Sequence, residues 1–282
     1  MTEQLLQRYR RDLALRGYSP RTQETYYRNL TVFLRYCNEP PGQITRETIK
    51  NYLYSLISER KLSESSLRQA RGAICYFFSQ TMGMNVEVDN IPVQKKKKKL
   101  PEVLTVDEVF RIIHGADNLK HKTMLMLAYS SGLRVGELVK LKVDDILRES
   151  MRIKVREAKG GRDRCTLLSE LCLRQLERYW KAYRPHGWLF CGKTPGLPIS
   201  VRAVQHAYQK AKRKAGVPKE GGIHTLRHSF ATHMLESGGG IFQLQKFLGH
   251  RHLSTTLVYA HLCEEKTIAR SPLDVYADRF GG

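Results

Sequence analysis

The chain has 282 residues, with 48 Lys and Arg against 27 Asp and Glu, a formal net charge of +21. Its 41% hydrophobic and 9% aromatic content supplies real cores and excludes a fully disordered chain, and the length suits two domains. No apolar run approaches the roughly 20 residues that cross a bilayer, the N-terminus lacks the apolar core and cleavage site of a secretory leader, and six cysteines without a Cys-x-x-Cys pair read as reduced cytosolic thiols.

In chain order, Leu5, Leu6, Tyr9 and Leu13 mark a first helix. Ser19 and Pro20 form an N-cap and first-turn pair, followed by Tyr26, Tyr27, Leu30, Phe33 and Leu34 on one face. Further helices are predicted from about Glu47 through Ile57 and from Ser63 through Phe77. This is an all-helical N-terminal domain over residues 1–93. Lys95, Lys96, Lys97, Lys98 and Lys99, bracketed by Pro92 and Pro101, repel one another and read as an extended linker over 94–101.

The remaining residues, 102–282, read as a second domain, mostly helical with a small antiparallel sheet. Thr105 with Glu108 is a capping box, and helices are predicted over 106–114 and 121–131 and from Val135. Met151 to Val155 alternates like a strand, Cys165 to Leu168 can partner it, and Lys159-Gly160-Gly161-Arg162-Asp163 supplies the hairpin glycines. Helices return at about 169–183, 200–215, 224–237 and 241–248, with shorter ones beyond. The predicted class is mainly α.

Both halves are cationic. Residues 1–100 hold 18 basic and 9 acidic side chains, and residues 101–282 hold 30 and 18. A basic tail does not give this pattern; a nucleic-acid partner does, because each neutralised phosphate releases counterions. The helix near 200–215, with Arg202, Lys210, Lys212, Arg213 and Lys214, is a candidate for groove contact, as is the helix near 63–79, and the lysine linker is a candidate for lying along phosphates. A merely solvated basic face is the competing reading of the 200–215 helix.

Four segments of the second domain combine residue types that bind and cleave phosphodiesters. They are Gly132-Leu133-Arg134-Val135-Gly136-Glu137-Leu138, the Lys159 hairpin, His224-Thr225-Leu226-Arg227-His228, and Leu248-Gly249-His250 with Tyr259 nine residues on. Each has a bland reading by itself. Arg134 suits a surface, Lys159 an exposed turn with Lys154 and Lys193 as rivals, His228 a packed histidine, and Tyr259 one of 14 tyrosines. His224 and His228 have half a zinc spacing, but His-x-x-x-His lacks the metalloprotease glutamate.

Taken together and in this order, the segments resemble the boxes of the tyrosine recombinases, the phage-integrase family of site-specific DNA recombinases, and the layout is similar to its Xer-like members. The resemblance implies a SAM-like N-terminal core-binding domain and a catalytic domain. It implies that Arg134 and Arg227 hold the scissile phosphate, Tyr259 attacks it, His224 assists proton transfer, His250 hydrogen-bonds the phosphate, and Lys159 protonates the departing 5′-oxygen. Glu137 would orient Arg134 or its neighbours. A pair of guanidiniums suits this task because each is planar, permanently charged and able to donate two hydrogen bonds to phosphate oxygens.

The implied product is a 3′-phosphotyrosyl bond with a free 5′-hydroxyl, formed without metal or ATP, so no cofactor is expected. The implied partners are double-stranded DNA bearing a recombination site and further recombinase subunits, as a tetramer on two sites, in the cytoplasm with the nucleoid. Ser271 to Tyr276 with Phe280 is a candidate segment for docking on a neighbour. Two features depart from the family pattern. Ile223 stands where relatives often have proline, and Gly238-Gly239-Gly240 makes an unusually free connection. The rival readings are a type IB topoisomerase-like enzyme, a DNA-binding accessory protein that does not cut, and a zinc nuclease.

Overall fold

The computed structural model describes residues 2–84, 101–158, 162–260 and 262. They fall into two compact units, Met1–Lys98 and Lys99–Gly282. The expected linker 94–101, Pro101 apart, lies outside the described residues, as do Lys159 and the segment from Ser271 to Phe280. No helix among the described residues is long and apolar enough to cross a membrane.

The first unit is all-helical: α1 (Thr2–Leu15), α2 (Pro20–Cys37), α3 (Arg46–Ser58) and α4 (Glu64–Tyr76), the last running on into a π-helical turn at Phe77–Thr81. Three of these helices start where the sequence places a hydroxyl. Ser19, Thr45 and Ser63 accept from the backbone N–H groups of Thr22, Thr48 and Ser66. The apolar stripes then converge on Tyr9, Leu13, Phe33, Tyr52, Phe77 and Phe78, all buried. Burying each such side chain contributes about 1.5–3 kcal/mol. The Tyr9 hydroxyl donates to the Ala73 carbonyl at 3.0 Å, which ties α1 to α4.

The second unit holds α5 (Val106–His114), α6 (Leu119–Ser130), α7 (Val135–Val139), α8 (Glu170–Tyr183), α9 (Val201–Lys214), α10 (His224–Glu236), α11 (Ile241–Leu248) and α12 (Leu253–Ala260). The capping box opening α5 is present, with Thr105 and Glu108 bonded reciprocally. The sheet has three antiparallel strands in sequence order: β1 (Ile146–Leu147), β2 (Arg152–Ala158) and β3 (Arg162–Leu167). β1, only two residues long, carries too little pattern to be read from sequence. β2 and β3 pair in the expected hairpin, Ile153 opposite Thr166, with an irregularity between Val155 and Ala158.

Helix α10 is enclosed on most sides. Leu226, Ser229 and Ala231 are fully buried, and the Ser229 hydroxyl accepts from the Leu104 backbone N–H at 2.9 Å. Two cores meet α10: the main one, with Leu226, and a smaller cluster of Phe230, Ala231, Leu244, Leu248 and Tyr259. The three glycines after α10 do not leave a slack connection. Gly238, at φ +83°, and Gly239 donate to the carbonyls of Leu235 and Met234, both at 2.9 Å, which terminates the helix, and Gly240 begins α11.

Candidate active site

Strand β3 organises one side of the site. Its alternate residues Arg164 and Thr166 point to the same face. The Thr166 hydroxyl donates to the Ser131 carbonyl at 2.8 Å and so holds the turn before Arg134. Arg164 makes a two-pronged pair with the Glu137 carboxylate, both bonds 2.8 Å, while its Nε donates to the Phe247 carbonyl at 2.9 Å. One side chain thus joins α7, β3 and the end of α11.

Glu137 receives two further bonds, from the Arg134 backbone N–H and from Arg134 Nη1, each 2.8 Å. Burial by itself would raise this carboxyl. The hydrogen bonds and charge of Arg164, with those of Arg134, outweigh it and hold the group down to about 2. Glu137 therefore stays ionised and sets the direction of two guanidiniums.

Arg227, on α10, is almost wholly buried. Its Nη1 donates to the Gly132 carbonyl at 2.5 Å, and its Nη2 to the Leu248 carbonyl at 2.7 Å and to His250 Nε2 at 3.1 Å. Burial and the charge of Arg134 lower it to about 9, which still leaves it cationic at neutral pH. Because an arginine only donates, His250 Nε2 is an acceptor here, and Nδ1–H donates to the Thr256 hydroxyl at 2.9 Å. Burial and then the charges of Arg227, Arg134 and Arg164 bring His250 down to about 4.

Two glycines let the backbone approach so closely. Gly132, at φ +59°, would place a Cβ 2.5 Å from the Phe230 ring, and Gly249, at φ +63°, would place one 2.7 Å from Arg164 Cδ.

Tyr259 lies on α12 with its ring buried and stacked on His250, centroids 6.3 Å apart. Its hydroxyl is 2.9 Å from His228 Nδ1. Burial raises the phenol above its ordinary value, and the charges of Arg227 and Arg134 pull it back. His224, the first residue of α10, is lowered by burial, then by Arg227 and Arg134.

Of the residues expected from sequence, Arg134, Glu137, His224, Arg227, His250 and Tyr259 come together around this one centre. Lys159 lies outside the described residues; its rival Lys154 is paired with Asp163 at 3.3 Å. Arg164 was not singled out, although alternation along β3 was visible in the sequence.

The basic helix α9 divides. Arg202, Lys210, Arg213 and Lys214 are exposed, with Lys210 on Asp117 at 3.0 Å. Lys212 is a correction: it is buried, and its ammonium donates to the Lys219 carbonyl, because it falls on the stripe of Val204, Tyr208 and Ala211 that faces the core. Lys95 to Lys99 lie outside the described residues. Among the described residues no group of His, Cys, Asp and Glu is arranged to hold a metal.

Sequence and structure comparisons agree with this layout. The phage integrase family matches residues 102–266, and the N-terminal SAM-like domain of phage integrases matches residues 5–87. The y4qK protein of Sinorhizobium fredii is 38% identical across 95% of this chain and 87% of its own length. The tyrosine recombinase XerA of Pyrococcus horikoshii is 36% identical across 90% and 88%. Among solved structures, a XerA recombinase aligns over 100% of this chain and 99% of its own, at 27% identity and a TM-score of 0.55. The fold of a lambda integrase fragment, crystallised as a dimer on a core site, covers 95% of this chain and 97% of that one at 22% identity, TM-score 0.75.

Proposed function

The chain belongs to the phage integrase family and is a tyrosine-type site-specific recombinase, and on that premise we propose that Tyr259 cuts DNA by forming a 3′-phosphotyrosyl bond at a specific site. One observation carries this reading. Residues from three separate stretches, Arg134, Arg227 with His224, and His250 with Tyr259, meet at a single centre and are held there by Glu137, Arg164 and Thr256.

In this reading Arg134 and Arg227 receive the non-bridging oxygens of the scissile phosphate. Their charge is set before DNA arrives, so little reorganisation opposes the developing negative charge. The Tyr259 oxygen attacks phosphorus, the bond to the 5′-oxygen breaks, and Lys159 gives that oxygen a proton. His250 is a neutral acceptor in the free protein. Donation to the phosphate from Nε2 requires a second proton, which the phosphate's charge favours. His224, at the head of α10, assists the proton movements. The phosphotyrosyl bond conserves the energy of the broken diester, so a 5′-hydroxyl from another strand reverses the step without ATP or metal.

Crystal structures of similar fold include a lambda integrase tetramer on a Holliday junction. For this chain the corresponding assembly is a tetramer on two sites in the cytoplasm, associated with the nucleoid, with the exposed cations of α9 and the Lys95–Lys99 run among the DNA contacts. The N-terminal domain over 1–93 and the catalytic domain over 102–282 would share those contacts.

The test uses a duplex selected by the full-length chain from a randomised pool, nicked a few nucleotides past the cleaved phosphate so that the short 5′-hydroxyl fragment is lost. In EDTA the wild type should trap a 3′-linked adduct on a denaturing gel, and Tyr259→Phe should form none. An adduct that survives in Tyr259→Phe removes the assigned nucleophile. Strand exchange between two such sites separates recombination from simple relaxation of supercoils.

A further inference from the structure

The second histidine of His224-Thr225-Leu226-Arg227-His228 has no part in the reaction as described so far, yet its ring nitrogen is bonded to the phenolic oxygen. His228 Nδ1 lies 2.9 Å from Tyr259 Oη, and the two rings face each other at 5.7 Å between centroids, tilted by 40°. We propose that His228 is the proton acceptor for Tyr259: as Oη bonds to phosphorus, its proton passes to Nδ1. This rests on the reading of Tyr259 as the nucleophile.

The step balances within the groups already named. The Oη–H bond breaks and Nδ1–H forms, while the Oη–P bond forms and the P–O5′ bond breaks, with O5′ protonated from Lys159. In the reverse step the phenolate leaves phosphorus and recovers its proton from His228.

The surroundings suit an acceptor that is empty until DNA binds. His228 faces Tyr259 on α12, His250 on the turn before α12, and His224 and Arg227 on its own helix. Burial, then His224 and Arg227, hold it down to about 4, so it is neutral at physiological pH. A neutral ring has a lone pair for the phenol. A phosphate seated on Arg134 and Arg227 brings a negative charge into the field that depresses His228, which makes the ring more basic in the complex than in the free enzyme. His224 shares the helix but no hydrogen bond to the phenol is formed by it among the described residues.

Two measurements test this. In the DNA-free wild-type protein, labelled with nitrogen-15 at histidine, His228 should carry its proton on Nε2, and its bare Nδ1 resonance should move in Tyr259→Phe. A proton found on Nδ1, donating to Oη, overturns the proposal. The second uses the selected suicide duplex with His228→Asn, whose amide oxygen keeps an acceptor beside the phenol but cannot take its proton. Adduct formation should fall by about 10²–10⁴-fold at neutral pH. The ratio of variant to wild-type rate should then rise about tenfold per pH unit from about pH 7 to about pH 9, as hydroxide replaces the lost base.

Near-wild-type cleavage, or a loss by a factor that does not change with pH, overturns the proposal. If His228→Asn does not fold, the tautomer of the wild type decides. An adduct in Tyr259→Phe would instead defeat the underlying reading, so the two failures are distinguishable.

Discussion

At the scale of single residues, the centre is a chain of fixed hydrogen bonds in which each member sets the next. Thr256 and Arg227 together fix the tautomer of His250, and Glu137 fixes the directions of Arg134 and Arg164. Glu137 has a measurable signature. Its pKa is lower in the folded protein, about 2, than the ordinary 4.5. The folded state therefore binds fewer protons than the unfolded one between those values, and stability falls as pH drops through that window. Glu137 accordingly contributes stability that is fully present above about pH 4.5 and lost as pH approaches about 2. In Glu137→Gln this part of the acid loss should disappear, so the midpoint of thermal unfolding should change less steeply with pH than in wild type. Equal slopes in the two proteins would show that Arg164 and Arg134 do not depress this carboxyl.

At the scale of elements, helix starts were legible because an N-cap is a local event. Ser19, Ser63 and Thr105 accept from the backbone at the helix starts read from the sequence, and Thr45 and Ser169 do the same at starts for which no cap was named from sequence. Helix α12 was not delimited from sequence, since Thr255, Thr256 and Val258 are β-branched and weaken the helical signal. The turn before α7 is the element on which the centre depends most. Gly132 has a left-handed backbone, faces Phe230 and offers its carbonyl to Arg227. Gly132→Ala should cost about 1–3 kcal/mol of stability, from overpacking against Phe230 together with the unfavourable φ. It should also slow adduct formation by disturbing Arg227, while DNA binding persists. Denaturant unfolding and the suicide-duplex assay check both halves.

At the scale of the whole molecule, charge and fold do different jobs. The excess of +21 predicts a DNA affinity dominated by counterion release, falling by about 10³-fold or more from 50 mM to 200 mM salt if six or more phosphates are contacted. Replacing Lys95 to Lys99 by Gln should flatten that salt dependence, measured as the slope of log affinity against log salt; an unchanged slope would remove the run from the DNA contacts.

What the amino-acid sequence determined by itself was the mainly helical class and the hairpin, which follow from periodicity, caps and turn residues within short windows. Arg134, His224, Arg227, His250 and Tyr259 stood out only because their segments, taken in order, resemble the tyrosine-recombinase boxes. Only the tertiary structure decided that Lys212 faces inward, that Arg164 ties Glu137 to the end of α11, and that His228 meets the Tyr259 hydroxyl. The physical reason is that a long polar side chain is directed by what it meets. For Arg164 the partners lie 27 and 83 residues away along the chain and for His228 the partner lies 31 away, while Lys212, whose partner Lys219 is near in sequence, is turned inward by the core that α9 packs against.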